Sequence, residues 1–373
     1  VNNYEKLFRE KYLEEQEKLY FELFGSKDIK SLKFPKNYKE YLKVGIDRIS
    51  LDIKYDDLKE STRDLRNIRV QGTFFNFFKT GKFKGNFYCK LDINLPKNLY
   101  GNNIKNVRDK KLIGASFSRA LNELKEMGII ISVKSIVEYI EINKYIILDE
   151  PIFKLEQTFN IIKKYITKGH FTRKGSQFDE SKNRTGVTFG TLNKSIIFYS
   201  KILEILKNEN FEGINFTDLR KVVTEFKEFL RFEIKLKGKS LENTFTKKLT
   251  LEELLENPED VIDKIFKKII IESGLTESNL EINLNKSVKR LSRGLKRYKK
   301  IHDRLFIKNF VKDYSIEIWG NNQLEMIANE SSEKKQEKYD RKNSLINNFK
   351  TVKTNRIDAL EHIKKVVKDL DLF

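Results

Sequence analysis

The hydrophobic pattern changes period once along the chain, near Gly238. Before that point, short runs alternate apolar and polar residues, and helical patterns lie between them. After about residue 250, apolar residues recur only at three- and four-residue spacing. A segment that carries both periods can bury both by laying helices on a sheet, whereas the later segment packs helix on helix. The expectation is therefore an α+β fold followed by an α-helical C-terminal domain. The sheet is expected to be mostly antiparallel, with flanking helices and two similar halves. Along the chain this gives an N-terminal helical segment over 1–43, an α+β domain over 44–245 and a helical domain over 246–373.

The individual elements follow from the same patterns. Residues 46–54 set Ile46, Arg48, Ser50 and Asp52 against Asp47, Ile49, Leu51 and Ile53, as in a half-buried strand. Strands follow over 72–78 and 84–95, the second with Phe87, Cys89, Leu91 and Ile93 on one face. Pro96 and Gly101 mark a loop. Leu112, Phe117, Ala120, Leu121, Leu124 and Met127 predict a helix over 104–127, stopped by Gly128. Two strands are expected over 129–133 and 136–143. Asp149-Glu150-Pro151 opens a helix that runs to about Lys168. A hairpin over 187–199, helices to 207 and over 216–228, and a strand over 229–237 complete the domain. C-terminal helices are expected over 250–273, 285–313, 317–329 and 333–371.

Among 373 residues, Lys and Arg outnumber Asp and Glu by 20 charges. This excess favours a polyanionic partner. No apolar run approaches the roughly 18 residues of a membrane span, so no membrane partner is expected. The opening residues, with Tyr4, Leu7, Phe8, Tyr12, Leu19 and Phe24 among charges, read as an amphipathic helix rather than a signal peptide. The single cysteine, Cys89, leaves no disulfide framework within the chain and fits a reducing cytoplasm. His170, His302 and His362 are too scattered for a His-rich metal site. No Gly-rich phosphate loop, zinc-type Cys/His spacing or Ser-His-Asp arrangement is visible.

Chemistry concentrates at two places. The hairpin over 187–199 runs into a helix, which puts Tyr199, Lys201 and Glu204 at the junction. The strand over 229–237 carries Arg231, Glu233 and Lys235 on the side opposite its apolar residues. A phenol can attack a phosphodiester, a lysine can stabilise the resulting charge, and carboxylates can hold Mg²⁺ or Mn²⁺. The same pattern also fits a packed tyrosine beside a solvated charged face. The loop over 169–186 is basic and brings Lys168, His170, Arg173, Lys174 and Arg184 into play as DNA contacts, or forms a solvated loop. Residues 286–300 contain no acid, and Lys289, Arg290, Arg293, Lys296 and Arg297 surround a buried stripe of Val288, Leu291, Leu295 and Tyr298. That run suits phosphate contact, although charge runs also serve as solvated faces.

Taken in order, these segments resemble the rolling-circle replication initiators of filamentous phages and related plasmids. The stretch from Gly190 through Tyr199-Ser200-Lys201 to Glu204, then Leu230-Arg231-Phe232-Glu233 and a lysine-ended strand, resembles the last motifs of that family. Gly45-Ile46-Asp47-Arg48-Ile49-Ser50-Leu51-Asp52 resembles its opening strand. The stretch from Asn86 to Ile93, with Pro96, Leu99 and Gly101, resembles its second strand and loop. Ala120, Leu121 and Leu124 stand where the family has a helix. Ile140-Glu141-Ile142-Asn143-Lys144, then Asp149-Glu150-Pro151, resembles its central strand and acidic turn. The resemblance covers about 44–240.

It implies an endonuclease that binds origin DNA, single-stranded or as a hairpin, and nicks one strand through a tyrosine and a divalent metal. Host replication proteins would be further partners. The implied metal ligands are Glu141, Glu204 and Glu233, an all-oxygen set suited to Mg²⁺ or Mn²⁺. Tyr165, in a Tyr-x-x-Lys spacing with Lys168, resembles the nucleophile helix of many such initiators and competes with Tyr199. Two departures stand out. The central Arg-x-Asp of the family is Tyr139-Ile140-Glu141 here, and no His-apolar-His motif occurs. They leave open a catalytically inactive nucleic-acid-binding protein on the same scaffold, a repressor or an inhibitor of a host nucleoprotein defence such as an anti-CRISPR.

Overall fold

The computed structural model describes residues 3–25, 42–54, 69–71, 75–79, 88–126, 129–150, 155–172, 186–208, 228–301, 305–315, 317–352 and 358–371. It is α+β, with C-terminal helices. Two compact units interleave along the chain. Unit 1 comprises Val1–Ile146, Lys174–Val222 and Phe229–Ile269; unit 2 comprises Ile147–Arg173, Val223–Glu228 and Ile270–Phe373. The N-terminal helix thus belongs with the sheet, and residues 147–173 group with the C-terminal helices.

Unit 1 is built on strands β1 (Gly45–Lys54), β2 (Arg69–Gln71), β3 (Phe75–Lys79), β4 (Tyr88–Asn94), β5 (Ile136–Leu148), β6 (Gly186–Thr191), β7 (Lys194–Ser200) and β8 (Glu228–Lys237). They form one sheet in the order β2-β3-β4-β1-β5-β8-β7-β6. The β1–β4, β1–β5, β2–β3, β3–β4, β6–β7 and β7–β8 pairs are antiparallel. In the middle of the sheet, Ile49, Leu51, Ile140, Ile142, Phe232 and Ile234 are fully buried. Burying each such side chain contributes about 1.5–3 kcal/mol. A one-residue slip of β8 would turn Phe232, Ile234 and Leu236 to the opposite face. That cost fixes the register and sends Arg231, Glu233 and Lys235 to the other side.

Helices α1 (Asn3–Phe24), α2 (Leu95–Tyr100) and α3 (Lys110–Glu126) follow different local signals. The region around Pro96 and Gly101, expected as a loop, is the short helix α2. The Asn94 side chain caps its N-terminus, Pro96 occupies its first turn and Gly101 closes it at φ 77°. The helix expected from residue 104 starts only at Lys110. Asp109 accepts the amides of Lys111 and Leu112 there, while Val107 bridges to Ile46. Of the two strands expected after it, only β5 forms, and it is longer than expected; residues 129–133 pair with no strand among the described residues.

The hairpin over 187–199 forms as expected, followed by α5 (Lys201–Asn208) after α4 (Glu156–Ile161), whose last turn is a π-helix over Ile162–Ile166. The expected 216–228 helix lies almost wholly outside the described residues, and Glu228 itself opens β8. Beyond β8 run α6 (Lys239–Phe245), α7 (Leu251–Glu256), α8 (Pro258–Ser273), α9 (Glu277–Ile301), α10 (Phe306–Asp313), α11 (Asn321–Ser331), α12 (Lys335–Val352) and α13 (Ala359–Asp371). In unit 1, Phe266 of α8 packs edge-on against Phe232, with ring centroids 5.8 Å apart, and so covers the apolar face of β8. In unit 2, α9 packs against α10, α11 and α13, around fully buried Leu291, Phe310, Trp319 and Ile327. Among the described residues, no helix is long and apolar enough to cross a membrane.

Candidate functional site

The polar face of the sheet in unit 1 is occupied by a buried ionic cluster. Its side chains come from four strands, β1, β5, β7 and β8, and the path of each explains why they meet. On β8, alternation places Arg231, Glu233 and Lys235 together. On β5 it places Tyr139, Glu141, Asn143 and Tyr145 together. The β7 register sets Tyr199 opposite Arg231.

Asp47 arrives by a different route. In the β1–β5 ladder, Ile46 pairs with Ile142, but Arg48 pairs with the very next residue back, Glu141. Asp47 is the extra residue of a β-bulge. The bulge reverses the expected sides around it: Ile46 joins the apolar face, and the Asp47 carboxylate joins the polar one. Bulges re-aim side chains in this way.

Each of Asp47, Glu141 and Glu233 offers a carboxylate oxygen within 4.8 Å of the others, and all three are buried. Arg231 is fully buried. Its Nη1 donates to the Asn103 carbonyl (2.6 Å) and to the Tyr145 hydroxyl (3.4 Å). Its Nη2 lies 2.7 Å from Asp47 Oδ2, and its Nε lies 3.9 Å from Glu233 Oε2. The Nη2 contact is an ion pair without hydrogen-bond alignment, because neither Nη2 nor Nε has an aligned acceptor. Lys235 Nζ lies 2.8 Å from Glu233 and 3.4 Å from Glu141. The Tyr139 hydroxyl donates to Glu141 Oε2 (2.5 Å), and the Tyr199 hydroxyl donates to Glu233 Oε2 (3.1 Å).

Electrostatics separate the two glutamates. Burial raises Glu141 well above the usual carboxylate range, and the charge of Glu233 raises it further. Burial also pushes Glu233 upward, but Lys235 and Arg231 outweigh it and hold that carboxyl below its usual range. Burial raises the Tyr199 phenol well above its ordinary value, so it is neutral at neutral pH and a hydrogen-bond donor.

Two observations bear on whether the cluster can take a cation. Among the described residues, Asp47 Oδ1 has no hydrogen-bond partner, and neither amide atom of the fully buried Asn143 has one. Buried polar groups without partners call for an explanation such as a water or an ion. The donors are oxygens throughout, as a hard divalent cation requires. Arg231 and Lys235 already balance two of the three carboxylates, so a cation has to compete with Lys235 for Glu141 and Glu233.

Of the expected ligands, the fold brings Glu141 and Glu233 together, with Asp47 as the third carboxylate. Glu204 sits one helical turn beyond Lys201 and accepts its ammonium (2.5 Å). Lys201 Nζ also donates to Asn103 Oδ1 (2.9 Å). Burial, then the charge of Arg231, lowers Lys201 to about 8. The solvated-face alternative does not describe Arg231 and Glu233, which are 0% and 3% exposed. Asp47, Asn103, Asn143 and Tyr145 were not singled out as site residues from the sequence. Only Asp47 carried a signal, an acid inside an otherwise apolar strand pattern.

Tyr165 belongs to unit 2. Its ring packs against Trp319 at 5.7 Å, with the Arg290 guanidinium 5.8 Å from its centroid. Lys168 and His170 are exposed, the latter in a 3₁₀ turn over Gly169–Thr172. Arg173, Lys174 and Arg184 lie outside the described residues. Lys289, Arg290, Arg293, Lys296 and Arg297 are exposed on α9. Comparison with known protein families, curated proteins and solved structures finds no match for this chain.

Proposed function

We propose that unit 1 nicks a DNA strand by attack of Tyr199 on a phosphodiester, as a rolling-circle replication initiator does. One observation carries the reading: the Tyr199 hydroxyl is hydrogen-bonded to Glu233, which shares a buried three-carboxylate cluster with Asp47 and Glu141. In this reading Glu233 takes the phenolic proton as the tyrosine oxygen bonds to phosphorus. The 3′-oxygen leaves and is protonated to a free hydroxyl, with the 5′-phosphate linked to the enzyme. Mg²⁺ or Mn²⁺ held by Asp47, Glu141 and Glu233 would supply charge stabilisation for the phosphate. Arg231 holds Asp47 in place through their ion pair and keeps Glu233 ionised. Lys201 acts through Asn103 and Glu204 as a positioning residue.

A second reading has its own observation. Arg231 and Lys235 already pair with the three carboxylates, and burial keeps Tyr199 neutral, as in a structural cluster on a non-catalytic nucleic-acid-binding protein. One experiment separates the two. The protein is incubated with Mg²⁺ or Mn²⁺ and a labelled library of single-stranded and hairpin DNA, and denaturing gels are read for covalent adducts. The nicking reading expects an adduct that Tyr199→Phe and Glu233→Gln abolish and Tyr165→Phe leaves intact. DNA binding without adduct or nick across the library supports the non-catalytic reading instead.

A further inference from the structure

Unit 2 holds a second feature that the proposed chemistry does not use, a groove of about 640 Å³ along α9. Its lining is unusual in charge. Lys286, Arg290, Arg293 and Arg297 recur at helical spacing along one face, with Lys289 beside them. The opposite stripe of α9, Val288, Leu291 and Leu295, is buried and fixes which face is presented. Arg290 is paired with Glu317. Lys286, Lys289, Arg293 and Arg297 make no ion pair among the described residues.

Like charges three and four residues apart destabilise a helix. Four unmatched cations over about 16 Å of helix therefore suit a ligand bearing several anionic groups at regular spacing. The groove also has an aromatic wall. Tyr298 stands edge-on to Tyr314, with centroids 5.8 Å apart, and both pack on Phe310. The Tyr298 hydroxyl donates to Asp313, which fixes that ring further. Gly294 has no side chain to fill the space between the arginines and these rings; a Cβ there would come within 3.6 Å of the Tyr314 hydroxyl oxygen.

We propose that this groove binds single-stranded nucleic acid, with phosphates on the α9 cations and a base against the Tyr298–Tyr314 wall. Cations tracking a backbone beside aromatic rings are how proteins hold single strands with little sequence preference. The inference does not depend on Tyr199, because every lining residue belongs to unit 2.

The test is fluorescence anisotropy of the full chain with a labelled 20-mer of deoxythymidine over a range of salt. Arg293→Ala with Arg297→Ala should weaken binding at least tenfold and lower the log–log salt slope by about 1.4, or about 0.7 per lost phosphate contact. Lys334→Ala with Lys335→Ala, the same charge change at two exposed residues of unit 2, should change affinity less than twofold. Tyr314→Leu should weaken binding about tenfold at an unchanged salt slope, since stacking releases no counterions. Covalent adducts are read on the same samples by denaturing gel, so failure here is distinguished from failure of the nicking reading. Equal effects of the two charge pairs, no effect of Tyr314→Leu, or tighter binding of duplex than of single strand would each overturn the assignment.

Discussion

Replacing Arg231 with methionine removes the central cation of the buried cluster and leaves its anions behind. Methionine fills much of the arginine stem's volume but offers nothing to Asp47 Oδ2, 2.7 Å from Nη2, or to the Asn103 carbonyl, 2.6 Å from Nη1. Breaking a buried ion pair from one side costs about 3–5 kcal/mol, because the remaining charge stays desolvated. Stranding a buried carbonyl costs about 1–3 kcal/mol more. A loss of about 4 kcal/mol is expected after partial relaxation, a large fraction of the stability of an ordinary domain. The measurement is urea unfolding at pH 7 for four proteins: the unaltered chain, Arg231→Met, Asp47→Asn and the double variant. Asp47→Asn removes the stranded charge, so the double variant should recover at least about 2 kcal/mol relative to the sum of the singles. If the single variant lost under about 1 kcal/mol, or the cycle closed additively within about 0.5 kcal/mol, the cluster would not be held together in this way.

Two further outcomes follow from the same geometry. Lys201 is fully buried and lowered to about 8, below the roughly 10.4 of an unfolded lysine. Between pH 8 and about 10 the unfolded chain therefore binds more protons, so stability should rise with pH there, by up to about 3 kcal/mol. Lys201→Met should remove that rise, and parallel pH curves from urea unfolding would refute the assignment. Gly190 sits at φ 112°, where an added Cβ would run into the Lys194 carbonyl and come within 2.9 Å of Ser195 Cα. Gly190→Ala should cost about 2 kcal/mol or more in thermal unfolding, through backbone strain and displacement of the β6–β7 hairpin; a loss below about 0.5 kcal/mol contradicts the turn geometry.

Much of the sheet was legible because its strands obey a simple period. The β6–β7 hairpin and β8 fall where the alternation places them. Expectation and structure part where a local signal has two meanings. Pro96 and Gly101 punctuate a loop in many chains, yet Pro is also tolerated in the first turn of a helix, and Gly past its last. The apolar residues from Ile104 fit a helix, but Asp109 is the better cap, and Val107 is drawn into a bridge with Ile46. The C-terminal helices were recognisable by spacing. Their grouping with residues 147–173 was not, because it rests on contacts such as the amide of Lys168 with the Ser273 carbonyl, about a hundred residues away in sequence.

Strand alternation alone puts Arg231, Glu233 and Lys235 on one side of a strand, since burying Phe232, Ile234 and Leu236 leaves no other choice. It likewise put Tyr199 at the end of a neighbouring strand. Which carboxylates converge is set by packing between strands distant in sequence. Asp47 enters through a bulge whose single extra residue reverses the face parity of β1, and no period-2 reading can anticipate that. Glu204 leaves the set because α5 carries it to Lys201. The burial that turns a charged strand face into a coupled ionic cluster comes from segments remote in sequence, among them the stretch holding Asn103, and a local pattern holds no information about what will cover it.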